Sequence, residues 1–204
     1  MKHILLSSLL AICTLLSCKS QDTTKYQNGD IIFQVSQSSQ CKAVQLATHS
    51  KYSHCGMLYF KDKQWFVAEA VEPVKLTPLK EFISHGKDEH YVIKRVKSLT
   101  KEQWTAKGNI VKDYVKANLG KHYDLYFNWD DSKIYCSELV WKAYKKTFDI
   151  EIGKLQTMQE FDLSHPAVKQ KLSERYGTKI PLNEKVISPA QMFNSELLVL
   201  VEEK

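Results

Sequence analysis

The sequence predicts one α+β domain. Two observations carry this. Short runs with strand alternation and turn signals cluster between residues 30 and 96, and runs with helical periodicity fall between and after them. A wholly apolar stretch, Leu197–Val201, reads as a closing strand. The 204 residues suit one domain, at most with an appended subdomain, and contain no repeat, low-complexity tract or internal linker.

In chain order, Gly29-Asp30 is a turn signal before a short apolar strand, Ile31–Val35. Ala43–Ala47 suits one or two helical turns. His54–Phe60 reads as an apolar strand, and Gly56 inside it marks the close approach of another group. Asp62-Lys63 makes a tight connection to Trp65–Val71, where Trp65, Val67, Glu69 and Val71 alternate. If Lys61 pairs with Gln64, Gly56 lies opposite Glu69 and His54 opposite Val71. His54 and Glu69 then share a face as diagonal neighbours, about 7–8 Å apart at the backbone. A one-residue slip would bring Glu72 there instead, turning Trp65 and Val67 away without improving the pattern, so the Glu69 register is preferred.

Thr77-Pro78 opens a short helix to about Ser84, with threonine as its cap. His90–Val96 alternates as a strand. Thr100 and Gln103 form a capping-box pattern ahead of a stripe of Trp104, Val111, Tyr114, Val115 and Leu119 that Gly120 ends. Tyr123–Asp131 is an aromatic and acidic loop. Leu139, Val140, Ala143 and Tyr144 then recur at helical spacing, with Lys142, Lys145 and Lys146 opposite, so an amphipathic helix begins at or near Cys136. Ser164 and Pro166 start a further helix stopped at Gly177, and Ser188-Pro189 begins a brief turn or helix.

The apolar share of 43% and charged share of 25% are ordinary for a globular protein. The formal charge of +6 comes from scattered lysines, which implies mild attraction to membranes or cell-wall polymers rather than a nucleic-acid grip. At the N-terminus, Lys2 and His3 precede an apolar run, Ile4–Leu16, too short to span a bilayer and read as a secretion signal. Leu15-Leu16-Ser17-Cys18 resembles a bacterial lipobox. The expectation is a signal peptide over residues 1–17, a lipid on Cys18 that anchors the protein to a membrane, a polar tether to residue 27 and a domain over 28–204. The location would be the cell envelope.

Of five cysteines, Cys13 leaves with the signal and Cys18 carries lipid. Cys41, Cys55 and Cys136 remain in an oxidising compartment, so at least one thiol stays free unless pairing is intermolecular. A Cys41–Cys55 bridge is left open. No Cys/His cluster has zinc spacing, and neither a metal nor another cofactor is expected.

Cys136 is the candidate for chemistry, against the alternative of a small buried residue that packs the start of a helix. At a helix start, unpaired backbone N–H groups and the positive end of the dipole favour a thiolate. Such a nucleophile needs an imidazole to move its proton and a polar group to orient that imidazole, types that His54 and Glu69 supply. A carboxylate in an otherwise apolar strand needs a partner, which makes Glu69 the more informative of the two.

Gly29-Asp30-Ile31-Ile32-Phe33, Tyr52-Ser53-His54-Cys55-Gly56-Met57, and Gly120-Lys121-His122-Tyr123-Asp124 running into Tyr135-Cys136-Ser137-Glu138-Leu139-Val140 together resemble the permuted papain-like cysteine hydrolases, the YiiX/YebB-like relatives of the NlpC-type cell-wall peptidases. The likeness spans about Gly29 to Ile150, with Ile187-Ser188-Pro189 similar to a C-terminal family element. It implies a circularly permuted papain-like fold, an antiparallel sheet carrying the histidine packed on a helix whose N-terminus presents the cysteine. By position it makes Cys136 the nucleophile, His54 the base and Glu69 the orienting group. Tyr135 and Tyr123 match aromatic positions that line the pocket or assist the oxyanion, alongside the Cys136 backbone N–H. Cys55 departs from the apolar residue usual beside the histidine; strand alternation points it away from His54, and it is read as packing. His49, His85, His90, His122 and His165 are read as surface or structural.

The resemblance implies an amidase or peptidase acting through a thioacyl intermediate, with cell-wall peptide as the expected substrate. Two alternatives stand beside it. One is acyl transfer or deacylation on a lipid or N-acyl amine, because the lecithin–retinol acyltransferase-like proteins share the His-before-Cys order. The other is a non-catalytic lipoprotein that binds peptide or amino acid. The sequence sets no oligomeric state.

Overall fold

The computed structural model describes residues 25–38 and 40–204, so the expected signal peptide and the expected lipidation site, Cys18, lie outside the described residues. Strand β1 (Ile31–Ser36) sits inside a six-stranded sheet, flanked by β2 (His54–Lys61) and β5 (Gly86–Val96). Next to β2 come β3 (Gln64–Glu69) and then β4 (Lys75–Pro78) at one edge, while β8 (Leu198–Glu203) pairs with β5 at the other. Every neighbouring pair is antiparallel.

The hairpin register follows from its turn. Asp62 and Lys63 take φ of 49° and 62°, the left-handed pair that a two-residue connection needs, and Lys61 pairs with Gln64. From that pairing the ladder runs back to Met57 opposite Ala68, the register the alternation of β3 favours. Gly56 is required where it sits. A Cβ there would lie 2.3 Å from a Val67 methyl and 2.9 Å from the Ala68 carbonyl oxygen.

Helices α3 (Lys101–Asn118), α4 (Cys136–Phe148) and α5 (Pro166–Tyr176) supply one core, in which Val111, Val115, Val140, Ala143, Tyr144 and Leu172 meet Ile31, Phe33, Met57 and Val92 of the sheet. Helix α1 (Cys41–Thr48) packs on α5. On the other face, Phe82 of α2 (Leu79–Ser84) joins Ile32, Leu58, Val67 and Ile93. A small pair, β6 (Gln156–Thr157) with β7 (Lys185–Val186), and the short helix α6 (Pro189–Phe193) complete the chain before β8. Among the described residues, no helix is long and apolar enough to cross a membrane.

Two contacts tie the Gly29-Asp30 turn to distant elements. Asp30 is buried and accepts from Arg95 at both oxygens, at 2.6 and 2.7 Å, joining the start of β1 to β5. The Tyr144 hydroxyl donates to the Gly29 carbonyl at 2.6 Å, fixing α4 on the sheet.

Several expectations need correction. The tether does not run to residue 27: Tyr26 is buried, meets Trp65 edge-on and donates to the Glu202 carboxylate, so the packed chain already includes Lys25–Gln27. Thr77 does not cap a helix; it lies in β4, α2 starts after Pro78, and its hydroxyl is taken by Glu69. The α5 cap is His165, whose Nδ1 accepts from Ala167 N, rather than Ser164. Leu119 leaves the apolar stripe and is exposed, because α3 ends at Asn118 and the chain turns away. Strands β4, β6 and β7 have two to four residues, too few for alternation to reveal.

Gly56→Ala should destabilise the fold by about 1–3 kcal/mol, since backbone on the partner strand cannot yield easily. Denaturant unfolding of the variant at unchanged m-value would show it, and wild-type stability would refute the close approach.

Candidate active site

Helix α4 begins at Cys136, preceded by an extended Tyr135. The residues on both sides of Cys136 are fastened to one backbone unit. The Ser137 hydroxyl donates to the Ile187 carbonyl at 2.8 Å, and Ile187 N donates to the Tyr135 hydroxyl at 3.1 Å. One turn into the helix, the buried Glu138 accepts from Tyr135 N at 3.3 Å and pairs with Lys142 at 2.6 Å. Burial pushes its pKa up to about 7, a rise that Lys142 and the Tyr135 N–H only partly offset.

His54 is the first residue of β2 and stacks on Phe82, with ring centroids 5.6 Å apart. Its Nε2 lies 2.6 Å from Oε2 of Glu69, the last residue of β3, and the Thr77 hydroxyl donates to Oε1 at 2.5 Å. With Nε2 taken, Nδ1 is the nitrogen left to serve Cys136, with which the imidazole interacts. Burial alone would raise the Glu69 carboxyl, but His54, then Thr77 and Lys75, hold it below its usual value. Burial alone would likewise lower His54, yet Cys136 and Glu69 outweigh it and raise the imidazole to about 10. Glu72, the carboxylate of the slipped register, is engaged elsewhere by His122 at 2.6 Å and Tyr123 N at 2.8 Å.

Cys55 overturns the packing expectation. Alternation does turn it away from His54, but that face of β2 is the one α4 packs on, and the thiol meets Cys136 there. Cys55 heads the groups that hold the Cys136 thiol well below the normal thiol range, followed by His54 and the Cys55 backbone, against the opposing effect of burial. Cys55 itself is driven well above that range by burial and by the neighbouring charge. The opposite directions favour the charge at Cys136 and the proton at Cys55. All three described cysteines are free, and Cys41 lies 3.0 Å from the Ser53 hydroxyl, so the possible Cys41–Cys55 bridge is not formed.

Tyr123 comes to the site because its loop returns alongside Ile134: Asp124 N donates to the Ile134 carbonyl, and Ile134 N to that of His122, both at 3.2 Å. The buried Asp124 side chain closes the loop by accepting from Tyr126 N and Asn128 N at 2.8 and 2.6 Å. Tyr135 lines the same region and is anchored there through its hydroxyl, which accepts from Ile187 N.

Cys136 borders a narrow cavity of about 100 Å³ whose walls are largely apolar, including Val44, Phe127, Met158, Leu163, Val168 and Leu172. On the imidazole side is an open cleft of about 720 Å³ lined by His54, Glu69, Gln34, Gln37, Glu72 and Lys75. Gln40, Ser53 and Tyr123 line both. Sequence reasoning missed Thr77, Cys55, Gln40 and the Ile187 backbone. Only Ile187 carried a signal, through the similarity of Ile187-Ser188-Pro189 to a family element.

The charge pattern fixes how labelling depends on pH. Thiolate at Cys136 should be present above its lowered pKa and persist as His54 loses its proton near pH 10. Iodoacetamide at pH 6 should therefore alkylate Cys136 far faster than Cys55 or Cys41, and His54→Ala should move the onset upward in pH. Equal, slow labelling of the three thiols by peptide mapping would contradict the ion pair.

Comparison with known proteins agrees with this geometry. The profile described as "Permuted papain-like amidase enzyme, YaeF/YiiX, C92 family" matches residues 25–202. The protein YiiX of Escherichia coli (strain K12), itself uncharacterized, is 51% identical over 176 residues, covering 86% of this chain and 85% of that protein. The crystal structure of the metalloprotein YiiX from Escherichia coli O157:H7 superposes with a TM-score of 0.83 at 49% identity, covering 88% of this chain and 98% of that one. In the present chain, among the described residues, no three His, Cys, Asp or Glu side chains are grouped to hold a metal ion. Histidine before cysteine in the sequence, an antiparallel sheet against helices and the matched profile lead to one conclusion: the chain belongs to the permuted papain-like amidases of the YaeF/YiiX family.

Proposed function

We propose that the protein hydrolyses an amide whose acyl part is slender and apolar and whose amine part is hydrophilic, using Cys136, His54 and Glu69. The observation that carries this reading is that Cys136 lines the narrow apolar cavity while His54 and Glu69 line the open cleft, with Gln40, Ser53 and Tyr123 lining both. The thiolate attacks the carbonyl carbon, forming the C–S bond and an oxyanion that the Cys136 backbone N–H is positioned to receive. Collapse breaks the C–N bond, and the imidazolium gives its proton to the departing amine. The amine must leave on the imidazole side, so the polar cleft takes the amine and the cavity takes the acyl group. Water then attacks the thioester with His54 as base, releasing the acid and restoring the thiolate. Glu69 keeps Nε2 engaged and the ring oriented throughout, supported by Thr77.

This order of preference differs from the cell-wall peptide that the resemblance alone favours. The peptide reading keeps one specific support, the polar cleft with Glu72 and Lys75. A purely binding role has less, because a peptide-binding cleft requires no thiolate beside a raised imidazole. We further propose that Cys18 is lipidated and holds the enzyme at a membrane of the cell envelope, seven residues before Lys25, where the packed chain is already fixed to Glu202. Cys18→Ala should abolish metabolic incorporation of labelled palmitate and release the protein from the membrane fraction; labelling that survives would refute the anchor.

N-acyl amino acids with chains from acetyl to palmitoyl, compared with muropeptides by mass spectrometry, test the substrate. With Cys136→Ala as the inactive control, kcat/KM should rise by up to roughly fourfold per added methylene until the cavity is filled, as burial of CH₂ groups allows. A flat series beside efficient muropeptide cleavage would replace this substrate with the cell-wall peptide.

A further inference from the structure

The residues common to the cavity and the cleft mark where a scissile carbonyl must lie, and two of them, Gln40 and Tyr123, are hydrogen-bonded to each other. A guanidinium can only donate, and Arg175 donates to the Gln40 side-chain oxygen. That contact fixes the amide orientation, so the Gln40 NH₂ group must face the other way, and it donates to the Tyr123 hydroxyl at 2.9 Å. Arg175 is itself steadied by stacking, 5.1 Å above the Phe127 ring. A phenolic hydrogen has two in-plane positions. With a donor occupying one side of the oxygen, the hydrogen is turned to the other, and no side chain among the described residues accepts it there.

We propose that Gln40, locked by Arg175, is a positioning residue that turns the Tyr123 hydroxyl hydrogen toward the carbonyl oxygen of substrate at Cys136. Tyr123 then completes the oxyanion site with the Cys136 backbone N–H. The inference rests on Cys136 being the nucleophile. Tyr123 suits the task because burial first, and the Cys136 charge second, keep it protonated throughout the working pH range. Gln40 precedes α1 in sequence and Arg175 lies in α5, so the packing of α1 on α5 sets this relay.

Gln40→Glu separates positioning from mere support. A carboxylate preserves the shape and strengthens the tie to Arg175, yet it accepts the Tyr123 hydrogen instead of donating to the oxygen. The assay is turnover of p-nitrophenyl butyrate by the full chain, with Cys136→Ala as blank. Gln40→Glu and Tyr123→Phe should each lower kcat by about 10²-fold with KM within twofold, the scale of losing one oxyanion donor. The double variant should lose no more than either alone. Both should label at Cys136 with iodoacetamide at the wild-type rate, and Gln40→Glu should melt no lower than wild type. Wild-type kcat in Gln40→Glu, or additive losses, would overturn the relay while leaving the hydrolase reading intact. A rise in KM alone in Arg175→Ala would make Arg175 a substrate ligand and overturn it too. Absence of Cys136-dependent turnover in the wild type would sink the hydrolase reading and the relay with it.

Discussion

The seating of the α4 N-terminus against β2 is the constraint on which the site depends. It brings three otherwise unrelated features together: a helix start that leaves N–H groups unpaired, an imidazole at the first residue of a strand, and a second thiol one residue further along. None of these alone makes a thiolate in a buried setting, where desolvation works against the charge. The protein holds the helix in register by fastening Tyr135 and Ser137 to the two polar groups of a single peptide residue, Ile187. A segment fifty residues downstream thus sets the position of Cys136. At the far end of the helix, Tyr144 reaches the Gly29 carbonyl, so both halves of α4 are pinned to the sheet.

The same seating divides the active site by polarity. The cavity that Cys136 lines is walled by α1, α5 and the Met158–Glu160 turn and is narrow and apolar; the cleft that His54 and Glu69 line carries many polar side chains and is open. Thiol hydrolysis is directional, because the imidazole must be on the side from which the leaving group departs. On the proposed mechanism, this division of polarity becomes a preference for substrate orientation.

Much of this was legible in the sequence because it rested on local pattern. The Asp62-Lys63 turn sets a register that one alternation pattern distinguishes from its slip, and that register pairs His54 with Glu69 rather than Glu72. Helix α4 announced itself by spacing, which put its start at or near Cys136. What was not legible required knowing which face meets which. Cys55 could be assigned to the face opposite His54, but only the packing shows that α4 occupies that face. Thr77 looked like a helix cap because threonine before proline often is one; instead the strand continued and its hydroxyl went to a buried carboxylate. Gln40 and Arg175 are 135 positions apart and carry no pattern that links them.

Thr77 also explains how a charged Glu69 persists where it is nearly inaccessible. A buried carboxylate shared only with an imidazole would be expected to draw the proton to itself as the surroundings become less polar, leaving two neutral groups. A hydroxyl donor on the second oxygen and Lys75 nearby favour the ionised form and tip that balance. The charge that remains on Glu69 raises His54, and the raised His54 in turn favours the thiolate. Cys136 is thus supported from the edge strand β4 through the Thr77–Glu69 and Glu69–His54 hydrogen bonds and then the imidazole's own contact with the thiol.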